Sequence, residues 1–141
     1  MAARDSYIGR GPRISRRTLL KIMAAAGAVG WGNLLAGCGD NSGPVVAMNG
    51  LEYAPARMTV KVGDTVTWRN LDRMIHTVTC DPAKSRDGAG ATLPAGAAPW
   101  DSGDIEGGEY WRRTFDVPGE YTYFCIPHEL AGMVATLTVE A

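Results

Sequence analysis

From Val45 to the end of the chain, apolar side chains recur at every second position. Met58, Val60 and Val62 alternate with Thr59 and Lys61, and Val66 and Trp68 with Thr65, Thr67 and Arg69. Tyr121, Tyr123 and Cys125 alternate with Thr122 and Phe124, and Leu137 and Val139 with Thr136 and Thr138. A period of two gives an extended segment one face for a core and one for water, and β-branched and aromatic residues suit that pleated surface. Turn signals at Val62-Gly63-Asp64, Glu106-Gly107-Gly108 and Val117-Pro118-Gly119 cut the runs short. After residue 38 no stretch carries the 3.6-residue period of an amphipathic helix. About seven or eight short strands in roughly 100 residues predict an all-β fold, a Greek-key two-sheet β-sandwich. Trp68, Tyr121 and Tyr123 are expected in its core. Asp81 to Pro99, rich in Ala, Gly and Pro, breaks the rhythm and is expected to be a long surface loop.

The 141 residues suffice for one domain and not for two sizeable cores. A formal net charge of −1 argues against a nucleic-acid binder. It conceals an asymmetry: residues 1–37 hold six basic groups and one acid, and the remainder eight basic groups and fourteen acids. A basic and then apolar N-terminus ahead of an acidic body reads as an export leader. Arg16 and Arg17 precede an apolar stretch, Ile22 to Ala36, of 15 residues, short of the roughly 20 that a spanning helix needs. The paired arginines resemble a twin-arginine export signal. Leu35-Ala36-Gly37-Cys38 resembles a bacterial lipobox, which implies cleavage before Cys38 and acylation of its sulfur. Each CH₂ so buried in lipid contributes about 0.8 kcal/mol, so two or three chains anchor firmly. The expected organisation is a leader over 1–37, a flexible tether over 38–44 and a folded domain over 45–141. The expected location is the extracytoplasmic face of a bacterial membrane, periplasmic or at the cell surface.

Two histidines and three cysteines are all the chain has, which excludes a multi-metal enzyme needing several imidazoles. Cys125-Ile126-Pro127-His128-Glu129-Leu130-Ala131-Gly132-Met133 follows a strand-like run. It offers a thiol, an imidazole three residues on and a thioether five further. Upstream, a strand from Asn70 to His76 carries the other imidazole, so the two histidines fall where they could converge. One thiolate and two imidazoles in a trigonal plane, with a weak axial thioether, form a blue-copper electron-transfer site. Thiolate suits Cu(I), and imidazole accommodates both oxidation states. Pro127 and Gly132 shape the turn, one by fixing φ and the other by freeing it.

Residues 45–141 resemble the cupredoxins, in particular the plastocyanin and amicyanin branch. The matching stretches are Val62-Gly63-Asp64-Thr65-Val66-Thr67-Trp68, Ile75-His76-Thr77-Val78, Trp100-Asp101-Ser102-Gly103, and Pro118-Gly119-Glu120-Tyr121-Thr122-Tyr123-Phe124-Cys125 with the loop after it. The resemblance implies His76, Cys125, His128 and Met133 as ligands of one type 1 copper. It also implies single-electron shuttling with transient redox partners of cytochrome or oxidase type, a monomer, and no enzymatic reaction. An apolar patch around His128, with Leu130, is expected to dock those partners. Three departures stand out. Thr77 follows His76 where many relatives have Asn. Phe124 stands where plant plastocyanins place a tyrosine implicated in docking. The Asp81–Pro99 segment is longer than in short relatives.

Rival readings remain open on the sequence. The same ligands could hold Cu(I) for delivery to an oxidase or for storage. A Cys80–Cys125 disulfide across the sandwich would make the chain a structural adhesion module; otherwise Cys80 is a free thiol. Zinc is chemically possible, although such ligands favour Cu(II) by the Irving–Williams order.

Overall fold

The computed structural model describes residues 9–10, 43–86, 88 and 90–141. Arg16, Arg17 and Cys38, with the expected cleavage point, lie outside the described residues. The strands are β1 (Gly9–Arg10), β2 (Val45–Asn49), β3 (Glu52–Ala54), β4 (Arg57–Lys61), β5 (Thr65–Asn70), β6 (Thr79–Cys80), β7 (Trp100–Asp101), β8 (Glu109–Thr114), β9 (Gly119–Phe124) and β10 (Val134–Glu140). They form two five-stranded sheets, β1-β8-β5-β2-β3 and β4-β10-β9-β6-β7. β2 runs parallel to β5 and β4 parallel to β10, while the other pairings are antiparallel. Helical structure among the described residues is confined to two 3₁₀ segments, Pro82–Lys84 and Ile126–Ala131. The result is the expected two-sheet β-sandwich.

Aromatic rings fill the space between the sheets. Trp68 of β5 meets Tyr123 of β9 edge-on, with centroids 5.6 Å apart, and lies 5.2 Å from Trp111 of β8. Trp100 and Phe115 pack at 5.5 Å. Trp68, Tyr121 and Tyr123 are all buried, as expected. β10 keeps strict alternation, with Ala135, Leu137 and Val139 buried. β5 does not: Thr67, on the nominally polar face, is buried. It is paired on one side with Val45 and on the other with Arg112, and these neighbours shield it.

Two expectations need correction. Phe124, which the alternation sets on the face opposite Tyr123 and Cys125, is fully buried rather than solvent-facing. The cause is the Asp81–Pro99 segment, which does not stand free but folds over β9. Thr92 and Thr122 exchange backbone hydrogen bonds of 3.1 Å, and Ala91 is buried beneath. Gly90 approaches so closely that a Cβ there would lie 3.2 Å from the Phe124 ring, so only glycine fits without displacement. Second, no continuous strand joins Asn70 to His76. β5 ends at Asn70, whose side-chain amide donates to the carbonyls of Met74 (2.6 Å) and Ile105 (2.9 Å). Asp72 accepts from the Met74 N–H at 2.6 Å. These side-chain bonds compete with a strand ladder and turn the chain. His76 resumes extended structure only as an isolated bridge to Ile105.

Candidate metal centre

Three segments bring the site together. The bridge to Ile105 fixes the backbone of His76 on both sides: His76 N–H donates at 3.2 Å, and Ile105 N–H returns at 2.8 Å. β9 delivers Cys125. The 3₁₀ segment Ile126–Ala131 follows, with Pro127 in its first turn. The segment ends at Gly132, whose φ of 84° lies in the left-handed region that glycine adopts without strain. That reversal returns Met133 to the sheet: Cys125 N–H donates to the Met133 carbonyl at 3.1 Å, and Met133 N–H to the His128 carbonyl at 3.2 Å.

The Cys125 sulfur lies 3.3 Å from Nδ1 of His128 and 3.7 Å from Nδ1 of His76. The three donor atoms all fall within 4.8 Å of one another. The two imidazole rings sit with centroids 5.0 Å apart. His76, Cys125 and Met133 are buried, and His128 is half-buried. So the structure brings together both histidines and the cysteine, and folds Met133 into the same buried turn. One soft sulfur and two borderline nitrogens facing one another are a donor set that copper fits.

The surroundings orient each donor. His76 Nε2 lies 3.0 Å from Asp72 Oδ2. With Nε2 as donor, Nδ1 is left as a lone pair toward the sulfur. The Asp72 carboxylate also accepts from the N–H groups of Gly50 (2.7 Å) and Met74 (2.6 Å). Burial works against its ionisation, yet the His76, Met74 and Gly50 hydrogen bonds outweigh that and hold the carboxyl below its ordinary value. Burial pushes the Cys125 thiol up, opposed chiefly by the Thr77 N–H, which donates to the sulfur at 3.3 Å. Burial, then the neighbouring His76, lowers His128.

Thr77 performs a linking role by another chemistry than an amide. Its hydroxyl accepts from the Ile126 N–H at 2.9 Å, tying the start of the Cys125–Met133 turn to the His76 segment. Its carbonyl accepts from the Tyr53 hydroxyl at 2.6 Å. Glu129, buried beside His128, accepts from the Ser85 hydroxyl and from the Arg86 N–H, the latter at 3.1 Å. It thereby fastens the Asp81–Pro99 segment to the turn.

Asp72 and Glu129 were not singled out in the sequence. Asp72 sits in Asn70-Leu71-Asp72, a turn signal that marks the loop but not the histidine it faces. Nothing local marks Glu129 as buried. Cys80 and Cys125 are both free, so the disulfide reading is overturned. Cys80 instead points its thiol at the carbonyls of Thr92 and Thr122, at 3.2 and 3.1 Å, and burial pushes it up to about 12.

Comparison with known proteins agrees with this geometry. The family described as copper binding proteins, plastocyanin/azurin family, matches residues 44–140. Plastocyanin from Scenedesmus fuscus is 37% identical over 90 residues, covering 64% of this chain and 88% of that one. The chloroplastic plastocyanin of Tetradesmus obliquus is 39% identical over the same length, the match spanning only 59% of the relative. Among solved structures, a variant of amicyanin in its reduced Cu(I) form at pH 4 superposes with a TM-score of 0.57 at 30% identity, covering 71% of this chain and 84% of amicyanin. On a match that runs from the first strand of the sandwich core to the last, the chain belongs to the plastocyanin/azurin family of copper-binding cupredoxins.

Proposed function

We propose that this chain is a blue copper electron carrier, with His76, Cys125, His128 and Met133 holding one copper ion and single electrons passing between redox proteins outside the cytoplasm. The observation that carries the reading is the convergence of one sulfur and two imidazole Nδ1 atoms within 4.8 Å. Copper in such a donor set supplies a reversible one-electron couple. The protein's part is to keep the donors still. Asp72 fixes the tautomer and tilt of His76, while Thr77 holds the Cys125 sulfur through its N–H and the Ile126 N–H through its hydroxyl. Burial of His76, Cys125 and Met133 keeps water away. Donors that move little between charge states keep the barrier to electron transfer low.

His128, half-buried, offers its ring edge as the short path to a partner. Leu71, Met74 and Ile75 on the loop before His76, and Pro127 and Leu130 beside His128, are exposed. Together they form the apolar surface on which cytochrome- or oxidase-type partners would dock briefly. We assign the chain no enzymatic reaction. The order of the Arg16-Arg17 and Cys38 motifs in the sequence supports export and lipid anchoring of the domain through the 38–44 tether, at the outer face of a bacterial membrane. Cys38→Ser is then expected to release the protein from the membrane fraction.

The visible spectrum of the copper-loaded full chain tests the site. A strong thiolate-to-Cu(II) band is expected, bleached by reductant, lost in Cys125→Ser and retained in Cys80→Ser. A colourless oxidised protein, or colour that survives Cys125→Ser, overturns the reading.

A further inference from the structure

Next to the site lies a line of polar groups that runs from the buried turn to the surface. Thr77 and Thr79 are both buried, and their hydroxyl oxygens are 3.0 Å apart. The Thr79 hydroxyl donates to Asp101 Oδ1 at 2.9 Å. The same oxygen accepts from the Gly103 N–H at 3.0 Å, and Asp101 Oδ2 accepts from Lys84 Nζ at 2.6 Å. At the inner end the Thr77 hydroxyl accepts from the Ile126 N–H.

The direction of every bond in this line follows from one end. An ionised carboxylate only accepts, so Thr79 must spend its single proton on Asp101. Thr79 can then only accept from Thr77. Thr77 spends its own proton there, and its lone pair is left facing the Ile126 N–H. Without an acceptor at 101, Thr79 is free to turn its proton inward, and Thr77 then loses the acceptor that orients its own proton. The Thr77 lone pair is then no longer held facing the Ile126 N–H. Asp101 stays ionised near neutrality: burial raises its carboxyl, but the bonds from Lys84, Gly103 and Thr79 outweigh burial and lower it.

We propose that Asp101 is a positioning residue for the metal centre, acting through Thr79 and Thr77 to lock the Ile126 end of the Cys125–Met133 turn against the segment that carries His76. The proposal rests on the copper reading for its redox consequence but not for its hydrogen-bond geometry. Through the relay, a surface ion pair, Lys84–Asp101, is coupled to the residue next to the cysteine. Bonds of this kind polarise one another along the line, so the parts act as a unit.

The test has a metal-free and a copper-loaded arm, both on the full chain. In the metal-free protein, amide hydrogen exchange at Ile126 is expected to quicken about tenfold in Thr79→Val and in Asp101→Ala, with Val139 in β10 unchanged and Thr79→Ser protected as in the parent. Unchanged exchange at Ile126, or equal quickening at Val139, overturns the proposal. In the copper-loaded protein, Asp101→Ala and Thr77→Val are expected to be non-additive in midpoint potential by about tenfold in the Cu(II)/Cu(I) equilibrium, ~59 mV for one electron. That coupling is expected to vanish in the Thr79→Val background. Additive effects, or coupling that persists without the Thr79 hydroxyl, overturn the relay and identify Asp101 as a charge acting through space. Should Thr79→Val fail to fold, the Asp101–Thr77 cycle decides alone, and additivity overturns the proposal. A protein that never colours, yet shows the Ile126 exchange pattern, removes the copper reading and leaves the relay standing.

Discussion

Asp72 Oδ2 lies 3.0 Å from His76 Nε2, and the same carboxylate is pinned by two backbone N–H groups from different turns. The histidine candidate without a local sequence motif is therefore the one with the most rigid support. A carboxylate behind an imidazole fixes its tautomer and raises its basicity, and loss of such a partner typically weakens metal binding 10–100-fold. Asp72→Ala is expected to weaken copper binding within that range. It should also raise the midpoint potential, because a less basic imidazole stabilises Cu(II) less. Asp72→Asn should fall between. Competition titration and voltammetry read these outcomes, and an unchanged affinity in Asp72→Ala would show the contact to be idle.

Glu129 clasps the Asp81–Pro99 segment through Ser85 and Arg86 while sitting one residue from His128. Glu129→Ala removes the buried acceptor that both bonds share, a loss of about 1–3 kcal/mol. Chemical denaturation is expected to show it, and limited proteolysis should cut the segment sooner. Glu129→Gln, which keeps a carbonyl oxygen, should retain most of the stability.

Phe124 stands under Gly90 with no exposed surface. Phe124→Tyr brings a hydroxyl into a packed apolar place, at a cost of about 1–3 kcal/mol unless it finds a partner. The expectation is a lower denaturation midpoint and no change in electron-transfer rate with a small-molecule oxidant. A faster rate would mean that the covering segment opens.

Asp101 has a folded-state pKa below its ordinary value. Its contribution to stability is complete above the unfolded value of about 3.9 and is lost as pH falls through the lower folded value. The metal-free chain should therefore lose stability in that acid window. Asp101→Asn should show a flatter acid limb, because its side chain does not titrate. Equal slopes in the two proteins would mean that the ionised Asp101 carboxylate, with its bonds to Lys84, Gly103 and Thr79, contributes nothing to folding.

Much of this molecule is legible in single stretches of sequence. The alternation in Leu137 and Val139, or in Val66 and Trp68, reports a strand because side-chain direction along extended backbone is a local property. The Cys125–Met133 turn is visible for the same reason, since three donors on one short loop can be counted. Thr67 and Phe124 escape this reading. Alternation tells which way a side chain points and not what covers it, and their covers come from residues 20 or more positions away.

What the sequence alone determined is the β class and the residue types of the metal centre. Tertiary structure decided that Asp72 stands behind His76, that Thr77 and Asp101 belong to one hydrogen-bonded line, that Glu129 is buried and that Cys80 stays free of Cys125. The physical reason is the range of the forces involved. Strand direction and turn geometry are set between neighbouring residues, whereas a hydrogen bond within 3 Å depends on where two distant segments come to rest when the sandwich packs.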